Sequence, residues 1–173
     1  MKKVITLMFL VSFFNGIAQN TDSLLAVPLK INSSSLEIEF RKEIRISIFN
    51  KDKIINWLKN SENIIVYESE ISIKANCKTV IKVGKRRKKF PVQMFYTLEI
   101  VKTGNVIECT VHQIYYRPMP DSKDSWLTNA EEAIADNLLC KKNNKINKLR
   151  ASYKIQTLIF IDNLFEKIEK LLL

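Results

Sequence analysis

Alternation of apolar and polar residues, recurring from about residue 71 to residue 116, restricts the fold of this chain more than any other feature. A β-strand points successive side chains to opposite faces, so such a run specifies strands with one buried and one wetted face. On the first stretch the odd positions are apolar: Ile71, Ile73, Ala75, Cys77, Ile81 and Val83. Gly84 and the run Lys85-Arg86-Arg87-Lys88-Lys89 form a charged connection, after which the even positions Val92, Met94, Tyr96, Leu98 and Ile100 take over. Gly104-Asn105 suits a two-residue hairpin turn with glycine first, leading into a strand from Val106 to Tyr116. That loop sets Ile100 opposite Cys109, Leu98 opposite Val111 and Met94 opposite Tyr115 on the apolar side. The polar side receives Thr97 opposite His112, Glu99 opposite Thr110, Val101 opposite Glu108 and Phe95 opposite Ile114.

The flanking segments supply the remaining elements. Leu36, Ile38, Phe40, Ile44, Ile46 and Ile48 alternate with polar residues, which predicts a first half-buried strand with a bulge near Lys42. Asn50 caps a helix with Asp52 in its first turn and an apolar stripe of Ile54, Ile55, Trp57 and Leu58, ending at Asn60. Ile64 to Tyr67 reads as a brief strand. After Pro118 and Pro120, Thr128 and Glu131 fit a capping box that opens a helix through Ala133, Ile134 and Leu138. A polar stretch from Lys141 to Asn144 interrupts it. A second helical segment from about Ile146 carries Leu158, Ile161, Phe165, Ile168 and Leu172 at spacings of three and four, the pattern of a face that covers the sheet. The expected fold class is therefore α+β, with an antiparallel sheet of about five strands, one short helix after the first strand, and C-terminal helices packed on one face.

Length and composition bound the organisation. A chain of 173 residues, 46% apolar, builds one sizeable core. Lys2 and Lys3, the apolar run Val4 to Phe14, and the small residues of Gly16-Ile17-Ala18 describe a cleavable secretory signal peptide over residues 1–18, cut before Gln19. The apolar run is well short of the ~20 residues needed to span a bilayer. Residues 19–35 read as a polar tether and 36–173 as a single α+β domain. The expected localisation is export to the periplasm or the medium as a soluble protein without a transmembrane segment. Loss of Lys2 and Lys3 lowers the formal charge of +10 by two, so the product remains basic and suited to an anionic envelope or extracellular macromolecule. Three cysteines, Cys77, Cys109 and Cys140, are too few and odd in number for a disulfide framework, and with the single His112 they lack the spacing of a zinc site. No cofactor or metal site is expected.

The order strand, helix, four strands in meander and C-terminal helix resembles a family of secreted bacterial proteins of unknown function with a TATA-binding-protein-like (TBP-like) fold. The resemblance runs from about Phe40 to Tyr116. It rests on Asn50-Lys51-Asp52-Lys53-Ile54-Ile55-Asn56-Trp57-Leu58, on Ile65-Val66-Tyr67-Glu68, and on Tyr96-Thr97-Leu98-Glu99-Ile100-Val101-Lys102-Thr103-Gly104. Where the family tends to place an acidic residue before the turn glycine and an arginine soon after it, this chain has Thr103 and then Asn105-Val106-Ile107-Glu108. The family has no established activity, so the resemblance implies fold and export alone.

Two candidate sites remain. The run Lys85, Arg86, Arg87, Lys88 and Lys89 concentrates five positive charges in one connection, able to dock on an anionic surface or to protect a sheet edge from aggregation. His112 with Glu99, Glu108 and Thr110 is the nearest approach to an acid–base cluster, because alternate positions on paired strands share a face. Cys77 and Cys109 have inward parity, as inert core thiols do. Nucleic acid is not an expected partner. The open face would mix Glu37, Glu39, Glu43, Glu99 and Glu108 with Arg41, Arg45, Lys74, Lys78 and Lys82, which does not make a phosphate-tracking surface. The expectation is a non-enzymatic macromolecule-binding module, with a small hydrolase centred on His112 as the alternative.

Overall fold

The computed structural model describes residues 29, 37–46, 48–61, 63–85, 88–119, 127–135, 139 and 147–173. The signal-peptide segment, Cys140, Leu138, and Arg86 and Arg87 of the basic run lie outside the described residues. So does the tether but for Leu29, which packs against the core.

The elements run β1 (Phe40–Arg45), α1 (Lys51–Asn60), β2 (Ile64–Glu68), β3 (Ser72–Lys85), β4 (Lys88–Thr103), β5 (Val106–Pro118), β6 (Thr128–Asn129), α2 (Ala130–Ile134) and α3 (Lys148–Leu172). Strands β2 to β5 form an antiparallel meander, and β1 returns to pair with β5, giving the order β1-β5-β4-β3-β2. The short β6 continues beside β5 at Tyr115 and Tyr116.

Local chemistry fixes the turns and caps. At the β4–β5 hairpin Thr103 pairs with Val106, and Gly104 adopts φ +60 while Asn105 stays at negative φ, as a turn with glycine first requires. At the other end Lys85 pairs with Lys88, and Gly84 at φ +145 lets the strands close, since a Cβ there would sit 2.1 Å from the Lys88 carbonyl oxygen. Each helix begins with an asparagine: the side chains of Asn50, Asn129 and Asn147 accept from the backbone amides of Lys53, Glu132 and Arg150.

The helices cover one face. Even positions of β4 and odd positions of β3 meet Ile54, Ile55 and Leu58 of α1, Ile134 of α2 and Ile161, Leu164, Phe165, Ile168 and Leu172 of α3 in one apolar cluster. Burial of each such aliphatic side chain contributes roughly 1.5–3 kcal/mol. Edge-to-face aromatic pairs, Tyr96 with Phe160 at 5.4 Å and Tyr116 with Tyr153 at 5.0 Å, tie α3 to the sheet. One polar pair within this layer is matched: the Tyr116 hydroxyl lies 2.8 Å from Thr157 Oγ1, with both residues buried.

Four expectations are corrected. The register holds from Thr103/Val106 to Thr97/His112 and then shifts, because β5 carries one extra residue opposite Tyr96. Gln113 takes φ +51 at this bulge, and parity inverts beyond it. Met94 therefore faces Tyr116 and Phe95 faces Tyr115; Ile114 and Tyr116 are buried, and Tyr115 turns outward. Secondly, β1 has no bulge at Lys42, since its pairing with β5 is continuous from Phe40 to Arg45. Lys42 keeps the inward parity of its strand, and its Nζ reaches Glu169 Oε2 of α3 at 2.7 Å. Thirdly, Ile48 and Ile71 are exposed, because each lies just outside the strand whose alternation it extends. Fourthly, Asn129 and not Thr128 caps α2: Thr128 is occupied in β6, and Glu131 accepts from the Ile38 amide, stapling α2 to the chain entering β1.

Candidate functional site on the open sheet face

Among the described residues no helix packs on the second face of the sheet, so its chemistry is set by strand parity. Cross-strand partners share a face, and rows can be followed across β1, β5, β4 and β3. Towards the Gly104 end one row joins Arg41, Thr110, Glu99 and Lys74. Arg41 donates to Glu39 Oε1 at 2.8 Å and to Glu108 Oε2 at 3.1 Å, and Lys74 Nζ lies 2.6 Å from Glu99 Oε1. The hydrogen bond to Glu39, with help from Glu108, holds the Arg41 guanidinium above its ordinary value. As surface pairs these contribute little to stability; they set the charge pattern.

All of these but Lys74 line a hollow of about 200 Å³ with Glu37 and His112. The imidazole is 17% exposed, its Nδ1 3.9 Å from Glu37 Oε2 and its Nε2 3.6 Å from Glu99 Oε1. Buried Nε2 has no hydrogen-bond partner among the described residues. The cluster of His112, Glu99, Glu108 and Thr110 is thus brought together as parity required, and Glu37, Glu39 and Arg41 join it. Glu37 lies just before β1 and keeps the open-face parity expected of it from sequence.

Towards the Gly84 end the same face changes sign. Lys78, Phe95 and Tyr115 form one row, Val80, Gln93 and Arg117 the next, Lys82 stands opposite Pro91, and Gly84 opposite Lys89. None of the strand residues sharing this half is acidic. The Arg117 guanidinium lies 5.5 Å from the Phe95 ring centroid. Of the basic run, Lys85 ends β3, while Lys88 and Lys89 open β4 and are exposed. The run therefore adjoins the basic half of the open face. Tyr115 and Arg117 escape sequence reasoning because the bulge at Gln113 reverses their parity.

The thiols take no part in either half. Cys77 and Cys109 are free and buried, and burial pushes both up to about 12. Among the described residues no group of three His, Cys, Asp or Glu side chains is placed to hold a metal ion, and no helix is long and apolar enough to cross a membrane.

An antiparallel sheet with helices on one face and an open opposite face defines an α+β protein of TBP-like architecture. The chain is similar to a DUF4468 family protein from Bacteroides ovatus, at 17% identity and a TM-score of 0.67, over 83% of this chain and 90% of that one. It is also similar to a TBP-like protein from Parabacteroides distasonis, at 18% identity and a TM-score of 0.57, over 82% of this chain and 96% of that one. At these identities the likeness carries the fold. No family model matches the sequence, and no curated protein matches it.

Proposed function

We propose that the protein is an exported, non-catalytic module that binds an anionic macromolecule of the cell envelope or secreted fraction. The contact surface is the basic half of the open face together with the hairpin at 85–89. One observation carries this reading: the sheet register places Lys78, Lys82, Lys89 and Arg117 on one uncovered face, contiguous with the basic run. Fields of one sign on an exposed surface draw in oppositely charged partners and raise encounter rates. The leader at residues 1–18 supports export.

A second reading, a small hydrolase centred on His112, is favoured by the hollow around that residue. Against it, His112 stands 3.6 and 3.9 Å from its nearest carboxylates, longer than the 2.6–3.2 Å typical of a working acid–base pair. The serine or cysteine nucleophile of the common covalent hydrolases is also missing from the residues lining the hollow.

Cosedimentation with isolated envelopes tests the proposal. Replacing Arg86, Arg87, Lys88 and Lys89 together by Gln should weaken binding about ten-fold or more. The loss should be larger at 0.01 M salt, where the Debye length is ~30 Å, than at 0.1 M, where it is ~10 Å. Equal binding of variant and wild type at low salt would overturn it.

A further inference from the structure

The basic half of the open face carries more than charge. Tyr115, 39% exposed, lies directly across from Phe95, with Lys78 completing the row and Arg117 against the Phe95 ring. In the adjoining row the Thr97 hydroxyl donates towards Gln113 Oε1 at 3.0 Å and Asn76 Oδ1 at 3.3 Å. The single hydroxyl hydrogen serves Gln113, the nearer acceptor, and each amide keeps at least one N–H as a donor for the surface. Adjacent rows on one face are two residues, ~6.8 Å, apart along a strand, so the phenol ring, the amide donors and two cations fall within the span of about two sugar rings.

The bulge assembles this patch. Without the extra residue in β5, Tyr115 would lie beneath the helices, and the residue holding the inversion is Gln113, a side chain kept at φ +51. A non-glycine residue in that region is disfavoured, and bulges of this kind re-aim side chains beside functional sites.

The mixture discriminates among anionic ligands. A lipid headgroup or a free phosphate is served by cations alone and makes no use of a tyrosine flanked by amide donors. A nucleic-acid strand stacks successive bases on successive rings, and with Arg117 against Phe95 this patch offers the open face of Tyr115 alone. A pyranose ring bearing a carboxylate uses every component. Its C–H face lies on an amphipathic ring such as Tyr115, its hydroxyls accept from amide NH2 groups, and its carboxylate takes charge-assisted hydrogen bonds from arginine or lysine. We infer that this patch binds an acidic polysaccharide, a chain of carboxylate-bearing pyranose rings, with one ring seated on Tyr115. The inference rests on the reading that the basic half of the open face is the contact surface, and it names the ligand class.

Titration calorimetry against polygalacturonate tests it, with dextran, oligothymidylate and phosphatidylglycerol vesicles as the neutral, nucleic-acid and lipid comparisons. Polygalacturonate should bind most tightly of the four. Tyr115→Ala should weaken that binding about ten-fold with an unchanged salt dependence, and Tyr115→Phe, which keeps the ring, should restore it. Arg117→Gln should both weaken binding and flatten its dependence on salt. Unfolding midpoints of the variants equal to wild type establish that the ring, and not the fold, was removed. If Tyr115→Ala binds polygalacturonate as wild type does, or if oligothymidylate or vesicles bind more tightly, the polysaccharide inference fails while the anionic-partner reading stands. Equal envelope binding of wild type and the quadruple hairpin variant at ~0.01 M salt would remove both.

Discussion

Glu99 and Ile100 are neighbours on β4, and they belong to two regions built on different rules. Beneath the helices Val92, Met94, Tyr96, Leu98 and Ile100 are each at most 5% exposed, and what matters there is volume and the absence of unpaired polar atoms. On the opposite face Glu99 answers to charge, paired with Lys74 and close to His112. The comparison teaches where function has room to vary. The covered face holds the sheet to the helices and tolerates little, whereas the open face is held in register by the same backbone and leaves its side chains available for contact.

The sharpest way to break the comparison is to substitute both neighbours. Ile100→Ala leaves a cavity in a fully buried position and should cost about 2–5 kcal/mol in urea denaturation, whereas Glu99→Ala should cost under about 1 kcal/mol, because it removes one partly exposed ion pair. Similar losses at both positions would mean that the open face is as structural as the covered one.

A second effect separates the faces by pH. Cys77 and Cys109 on the covered face are pushed up to about 12 by burial, from an ordinary 9.0. A thiol raised in the folded state is neutral there while the unfolded chain ionises, so the unfolded state binds fewer protons above pH 9 and stability falls. The contribution is fully present below pH 9 and is lost as pH climbs towards 12, at up to about 1.4 kcal/mol per pH unit per thiol. Tyr96 and Tyr116, also raised by burial, add a loss of the same sign above pH 10. Urea midpoints at pH 8, 9.5 and 10.5 should therefore decline, and less steeply in a Cys77→Ala, Cys109→Ala double variant. An identical decline in that variant would show that the thiols are not the groups being titrated.

The same contrast explains what the sequence disclosed. The meander, its hairpins and the face assignment of Ile73 to Ile100 were legible because period-two alternation and a glycine-first turn are local signals with one geometric solution. The Gln113 bulge was not, since Ile114, Tyr115 and Tyr116 are all apolar or aromatic and fit either parity. The residue that decides is Thr157 on α3, which receives the Tyr116 hydroxyl from 41 residues away. Lys42 misled for a related reason. A charge at an inward position reads as a bulge unless its partner is known, and Glu169 lies 127 residues further along the chain. For the site, parity brought His112, Glu99, Glu108 and Thr110 together, while Tyr115 and Arg117 stayed hidden behind the bulge. In both cases what escaped was a long-range pairing that overrode a local pattern.

The smallest expected effect bears most directly on function. His112 is the chemically most versatile side chain of the open face, yet its contacts are two carboxylates beyond hydrogen-bond length and a buried Nε2 without a partner among the described residues. Removing it forfeits no hydrogen bond, and the packing lost with a ring only 17% exposed is partly offset by removal of an unpartnered Nε2, so His112→Ala should change stability by no more than about 1 kcal/mol. The binding reading adds that envelope affinity should be unchanged, because His112 belongs to the acidic half and the contact to the basic one. The two halves can thus be scored independently in one cosedimentation experiment, with His112→Ala matching wild type and the quadruple hairpin variant falling away. Should His112→Ala keep its unfolding midpoint and lose the biological activity of the protein, with the hairpin variant behaving as wild type, the hydrolase reading replaces the binding one. A folded protein that depends on that imidazole alone must be using it on a substrate or a specific ligand in the hollow.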